Sequence, residues 1–205
     1  MTRTVENATD VVPVPLTARQ PLVVGIGGTT RVNSSTERAL RIALDAAERS
    51  GARTVLLGVA DLQLPMYAPE DPNRTPEAER LVGLVRDADG LIIASPGYHG
   101  GFSGLLKNAI DYIEDLRADT RPYLDGRAVG AIVCAYGWQA TATTLVSIRS
   151  VIHALRGWPT PLGVAINSAE NVWEADGELV DERVGQQLEL LAAQVLQFVH
   201  AEMKK

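Results

Sequence analysis

Short apolar runs alternate with amphipathic stretches along most of the chain. Five runs, at residues 22–26, 54–59, 91–94, 128–134 and 162–166, have the length of buried strands and are too short for typical helices. Between and after them, apolar positions recur every three or four residues. That spacing predicts helices over about 36–50, 77–86, 105–113, 141–155 and 181–201. The first carries Ser34 three residues before Glu37, the spacing of a capping box, and Gly51 where a helix carboxyl end favours glycine. The last sets Val184, Leu188, Leu191, Ala192 and Val195 on one face. Strand and helix alternating five times predict an α/β domain with a parallel sheet covered on both faces, because each right-handed crossover winds back over the sheet. Residues 60–76 hold four prolines and 117–125 are charged, so both read as connections. Residues 168–180 read as a loop with a small hairpin at Ala175-Asp-Gly177. Residues 1–20 are polar, contain two prolines and lack periodicity; they read as a flexible arm before one domain over 21–205.

Composition narrows the function without naming it. Hydrophobic residues at 46% and charged residues at 21% describe an ordinary globular protein. A net charge of −6 argues against a nucleic-acid partner, which needs clustered Lys and Arg. No apolar run approaches the roughly 18 residues needed to span a bilayer, and the N-terminus has no signal-like apolar core. The lone Cys134 cannot form an internal disulfide, which fits a reducing cytoplasm, and no multi-cysteine metal site is available. Its place in the apolar run 129–135 makes it a core residue, not a nucleophile.

Candidate chemistry gathers in the loops that follow the first, third and fourth strands, where a doubly wound sheet binds its ligands. The first loop, Gly27-Gly-Thr-Thr-Arg-Val-Asn-Ser-Ser35, precedes a helix whose amino end offers unsatisfied N–H groups. Thr29, Ser34, Ser35 and Thr36 add hydroxyl donors and Arg31 a cation, a set suited to phosphate; ordinary capping needs only one Ser. It matches neither GxGxxG nor GxxxxGK[ST], so dinucleotide and nucleoside-triphosphate sites lose ground. The second loop, Ser95 to Gly104, surrounds Tyr98, His99 and Phe102 with four glycines. Glycine lets backbone approach a flat ligand closely. The third, Tyr136-Gly-Trp-Gln139, adds aromatic and amide groups. Phosphate at one loop and a flat face at the other two describe flavin mononucleotide; a sugar phosphate would leave the aromatics without a purpose.

Two motifs carry a family resemblance. Gly27-x-x-x-Arg31-x-x-Ser34 follows the first strand, and Ser95-Pro-x-Tyr-x-Gly-x-x-Ser-Gly-x-Leu-Lys-Asn-Ala-Ile-Asp111 runs from the third strand into its helix. With Leu64-Pro-x-Tyr67 in the long loop, they make the chain resemble the NAD(P)H-dependent FMN reductases of the flavodoxin-like class over roughly residues 22–200. The resemblance implies a three-layer, flavodoxin-like doubly wound sheet of five parallel strands in the order 2-1-3-4-5. It implies that Arg31, Ser34, Ser35 and Thr36 hold the FMN phosphate. Pro96, Gly97, Tyr98, His99, Gly100, Gly101 and Phe102 would line the isoalloxazine ring. The third loop departs from the family, many of whose members have several glycines where this chain has Tyr136, Gly137, Trp138 and Gln139.

The implied activity is hydride transfer from NADPH or NADH to FMN, with no side chain required as acid or base. Negative charge would develop at the N1 and C2-oxygen edge of the flavin, near backbone N–H groups of Gly137 or Trp138. His99 is the candidate for a direct role, though a loop histidine more often packs or faces solvent. Reduced flavin could then pass to a partner monooxygenase, or FMN could stay bound while a quinone, azo dye or metal oxyanion takes the electrons. From another class, a flavodoxin-type carrier would pass single electrons between proteins; Arg31 and the modest net charge speak against it. A partner-binding domain without redox activity is the remaining reading. Arg31, Arg74 and Arg121 are candidates for choosing NADPH over NADH. Tyr112, Ile113 and Leu116 are read as an apolar helix face for a homodimer or homotetramer, with Lys107 and Asp111 serving packing or a subunit contact.

Overall fold

The first apolar run forms β1 (Leu22–Gly27), buried at every position, in a computed structural model that describes residues 19–204. β1 pairs in parallel with β2 (Arg53–Leu57) on one side and β3 (Gly90–Tyr98) on the other. β3 folds back through the short β4 (Gly101–Phe102), antiparallel to it, and pairs in parallel with β5 (Ala128–Ala135). Beyond β5 lie β6 (Trp158–Pro159) and β7 (Val164–Asn167), which pair in parallel with successive parts of it, Ala128 opposite Trp158 and Ile132 opposite Val164.

The strand order is β2-β1-β3-β5 with β6 and β7 at the edge, the expected arrangement of five parallel strands with the last divided in two and the antiparallel β4 added. Pro161 falls in the interruption, and its missing N–H cannot serve a ladder. Other bonds bridge the gap: Thr160 N–H donates to the Val129 carbonyl, and Leu162 N–H to Gln194 Oε1, at 3.1 and 2.9 Å. Leu162, expected in the strand, therefore lies outside it.

Two apolar layers cover the sheet. One face packs Val23, Ile92, Ile132 and Val164 against α1 (Ser35–Arg49) and α5 (Glu182–Glu202). The other packs Val24, Ile26, Leu91 and Val133 against α2 (Pro76–Asp87), α3 (Gly104–Asp111) and α4 (Trp138–Ala154). α1 begins as its sequence requires: Ser34 Oγ accepts the Glu37 N–H at 3.3 Å. The Glu37 carboxylate reaches back to the Asn33 N–H at 3.2 Å, one residue before the partner a regular box would use. It ends in a Schellman pair, with Gly51 at φ +94° donating to Glu48 and Ala52 to Ala47. The hairpin expected at 175–177 forms, closed by the Glu174 N–H to Glu178 carbonyl bond at 2.8 Å.

Three expectations change. α3 stops at Asp111 and tightens into a 3-10 turn, Tyr112–Leu116. Tyr112, Ile113 and Leu116 are buried in the subunit's own core, so they form no exposed face for a second copy. α4 starts three residues earlier than expected, at Trp138. The arm at 1–20 lies outside the described residues except for its last two, where Arg19 pairs with Asp89 at 2.6 Å.

Candidate functional site

The loops after β1, β3 and β5 meet at the carboxyl edge of the sheet, and Ser103 and Gly28 are where the first two touch. Ser103 is buried, caps α3 by accepting the Leu106 N–H, and donates its hydroxyl to the Gly28 carbonyl at 2.5 Å. Ser95 Oγ accepts the Ser103 N–H at 3.0 Å, and Gly28 N–H donates to the Ala94 carbonyl at 2.8 Å. Ser103 belongs to the second motif without a role assigned to it there, although a serine immediately before a helix is a capping signal.

In the first loop the hydroxyls split by direction. Thr29, Ser34 and Thr36 are buried, Ser35 is half-buried and Arg31 is exposed. Thr29 Oγ1 accepts the Arg31 N–H, Ser34 caps α1, and the Thr36 side chain lies near the Cys134 thiol within the core. Asn33 takes φ +55°, a left-handed conformation that turns the chain into α1. Burial pushes the Cys134 thiol up to about 12, with Thr36 opposing weakly, so this thiol is an inert core group.

The second loop is a strand and a tight turn. β3 runs on to Tyr98, and His99 and Gly100, at φ +51° and +83°, make a two-residue turn into β4. Positive φ at both central positions is the requirement of a type I′ hairpin. A histidine held there is a strained choice where Asn or Gly is usual.

Tyr136 and Gly137 connect β5 to α4, with Gly137 at φ +104°. Tyr136, Trp138 and Tyr98 are 83%, 55% and 56% exposed, unusual for three large rings beside one another's loops. A cavity of about 560 Å³ opens between His99 and Gly100 on one wall and Tyr136 to Ala140 with Thr143 on the other. Among the described residues nothing lies within 4 Å of where a side chain at Gly137 would begin, so backbone there is open to a flat ligand. Hydroxyls and a helix amino end on one side, with rings and open backbone on the other, suit FMN. Pro96 is buried in β3 and Phe102 packs against the core, so these two support the hairpin more than they face the cavity.

A strap of chain flanks this edge. Asn108, from the Lys-Asn-x-x-Asp motif, accepts the Tyr67 N–H at 2.8 Å and donates to the Leu64 and Pro65 carbonyls. Lys107 and Asp111 simply pair with each other on the helix surface. Arg74 lies over Tyr67 and Tyr112 and makes a fork to Asp115 at 2.7 and 2.9 Å, so it is committed to holding the loop and not to a ribose phosphate. That hydrogen-bonded guanidinium holds the Asp115 carboxyl below its usual 3.8, against an opposing effect of burial. A depressed carboxyl stabilises the fold above its unfolded pKa and loses that contribution as pH falls through the lower folded value. Asp115→Asn should therefore cost about 1 kcal/mol at neutral pH, and the gap to the parent should narrow in acid unfolding curves as pH falls below the ordinary carboxylate range. A gap that persists at that acidity would assign the cost to packing.

Comparison with known proteins follows the same lines. Residues 21–171 match the family model described as NADPH-dependent FMN reductase. An NAD(P)H-dependent FMN reductase of Pseudomonas aeruginosa is 30% identical over 177 residues, covering 82% of this chain and 92% of that protein. An FMN-dependent NADPH-azoreductase of Staphylococcus aureus is 25% identical over 182 residues, covering 84% and 92%. Among solved structures, the flavoenzyme NAD(P)H:(acceptor) oxidoreductase FerB from Paracoccus denitrificans superposes with a TM-score of 0.72 at 19% identity, covering 90% of this chain and 99% of that one. At that identity the likeness speaks for the fold alone. Among the described residues no cluster of His, Cys, Asp or Glu could hold a metal ion, and no helix is long and apolar enough to cross a membrane.

Proposed function

The chain belongs to the NADPH-dependent FMN reductase family, and from that premise we propose that it passes hydride from NAD(P)H to FMN at the carboxyl edge of the sheet. The observation that carries this reading is the bond from Ser103 to Gly28, which ties the hydroxyl-rich first loop to the hairpin whose His99 and Gly100 wall the cavity. Arg31, Ser35 and the amino end of α1 hold the phosphate, with Thr29, Ser34 and Thr36 shaping the turn from beneath. Tyr98, His99, Gly100, Gly101, Tyr136, Gly137 and Trp138 line the ring, and Pro96, Gly97 and Phe102 brace the hairpin that presents it. FMN, when bound, supplies the hydride chemistry. The protein's part is to place the nicotinamide against the ring, which removes most of the entropic barrier.

Flavin-stripped protein gives the test. Saturable NAD(P)H oxidation that rises with added FMN supports a reductase that releases its flavin. Restoration by one equivalent, with quinone or azo dye as acceptor, supports a retained flavin. The exposed rings of Tyr136 and Trp138 at the cavity, with Tyr98 in the neighbouring hairpin, favour a flat aromatic acceptor in that case. FMN binding with no NAD(P)H oxidation would sink the enzyme reading and leave an electron carrier.

Arg31→Ala probes the phosphate end. Losing one charge-assisted bond should weaken FMN about tenfold while leaving riboflavin, which has no phosphate, unchanged. Equal losses for both flavins would remove Arg31 from the phosphate site. Delivery of reduced flavin to a monooxygenase, assembly as two or four copies, and a cytoplasmic setting suited to the single thiol belong to the same reading; sedimentation counts the copies.

A further inference from the structure

The third loop is held from outside itself. Asn167, the last residue of the edge strand β7, is 7% exposed. Its Oδ1 accepts the Gly137 N–H at 2.8 Å and the Ala169 N–H at 3.1 Å, and its Nδ2 donates to Glu170 Oε1 at 3.1 Å. Gly137 is the residue from which α4 starts, and it has no side chain with which to cap the helix. Tyr136, the other residue of the connection, is largely exposed. The position of the first turn of α4 is therefore set by a side chain thirty residues away.

That arrangement leaves particular groups for a ligand. Asn167 takes the Gly137 N–H; the first helical bond runs from the Thr141 N–H back to the Gly137 carbonyl at 3.3 Å. The N–H groups of Trp138, Gln139 and Ala140 belong to the opening turn, where a helix offers no acceptors of its own and carries partial positive charge. All three residues wall the cavity that His99 and Gly100 close from the other side.

We infer that Asn167 is a positioning residue of the flavin site, holding the amino end of α4 so that it favours the anionic reduced flavin over the oxidised one. The inference rests on the function proposed above. An amide suits this post where a carboxylate would not. It presents the same acceptor oxygen to Gly137 without adding negative charge beside the helix start, and its NH₂ group bonds the Glu170 carboxylate that an aspartate would repel.

The experiment measures dissociation constants for oxidised FMN and, anaerobically, for reduced FMN on the full-length parent, Asn167→Ala and Asn167→Asp, with a thermal midpoint for each. Asn167→Ala should weaken reduced FMN about tenfold more than oxidised FMN, as expected if the oriented helix end is lost. Asn167→Asp keeps an acceptor for Gly137, so oxidised FMN should hold within about threefold while the reduced form weakens about tenfold. Should the alanine variant fail to fold, the aspartate variant carries the test by the same ratio. Equal weakening of both forms in the folded variants would make Asn167 a purely structural residue and overturn the inference, as would no change in either. A parent protein that binds neither form of FMN would overturn the flavin reading itself, and this inference with it.

Discussion

Arg127→Met should unfold at least about 3 kcal/mol more easily than the parent, a loss of roughly 10 °C in thermal midpoint for a chain of this size. Arg127 opens the approach to β5 and is 1% exposed. Its guanidinium donates to four main-chain carbonyls: Nε to Ala88 at 3.1 Å, Nη1 to Tyr123 and Asp125 at 3.2 Å each, and Nη2 to Arg86 at 2.6 Å. Arg86 and Ala88 belong to the carboxyl end of α2, whose last carbonyls have no helical donors and carry partial negative charge. One side chain thus caps α2, fixes the loop before β5 and ties both to the sheet. Burial pulls the guanidinium down to about 10, so it stays charged across the neutral range. Methionine matches the stem but abandons four acceptors, the buried Ala88 carbonyl and three partly buried ones. Lysine keeps the charge but has three donors on a single atom and cannot span the same set, so Arg127→Lys should recover only part of the loss. Urea unfolding of the three proteins measures this. A methionine variant within about 1 kcal/mol of the parent would mean that water reaches those carbonyls.

Gly28→Ala should cost about 2 kcal/mol and with it most of the FMN affinity. A methyl group at Gly28 would sit 2.5 Å from Leu106 Cβ, 2.9 Å from Ser103 Oγ and 3.3 Å from the Ala94 carbonyl. Leu106 Cβ is fixed by the backbone of α3, so no rotamer change relieves the contact; α3 and its cap must move away from β1. The same movement breaks the Ser103 to Gly28 bond that joins the phosphate end of the site to the ring end. Gly104→Ala is the control, since none of the described residues lies within 4 Å of its missing Cβ and it stands in the first turn of the same helix. That variant should unfold within about 0.5 kcal/mol of the parent. Calorimetry and flavin titration of both read the two effects separately. If Gly28→Ala matched Gly104→Ala, the two loops would not be coupled through this contact.

Much of this architecture was legible because its signals are local. Ser34, Glu37 and Gly51 lie in or directly beside one helix and mark both of its ends, and the short apolar runs give the strands. The amino end of α4 was placed three residues late because Gly137 starts the helix with no capping side chain, which removes the signal that reading depends on. The β3–β4 hairpin passed as a loop because His99 stands where a type I′ turn advertises itself with Asn or Gly. Tyr112, Ile113 and Leu116 looked like an outward face under α-helical spacing. A 3-10 turn rotates residues by a different angle, and all three turn inward.

By itself, then, the sequence determined a doubly wound α/β domain, the loops that carry the chemistry and a flavin as the ligand they suit, since periodicity, capping residues and motif spacing act over a few residues. The tertiary structure decided what holds those loops in register: Ser103 on Gly28, Asn167 on Gly137, Asn108 on the 64–67 strap and Arg127 on the end of α2. Each joins groups about thirty or more residues apart along the chain. A lone polar side chain announces no partner until folding brings one within about 3 Å and excludes the water that would otherwise compete for it.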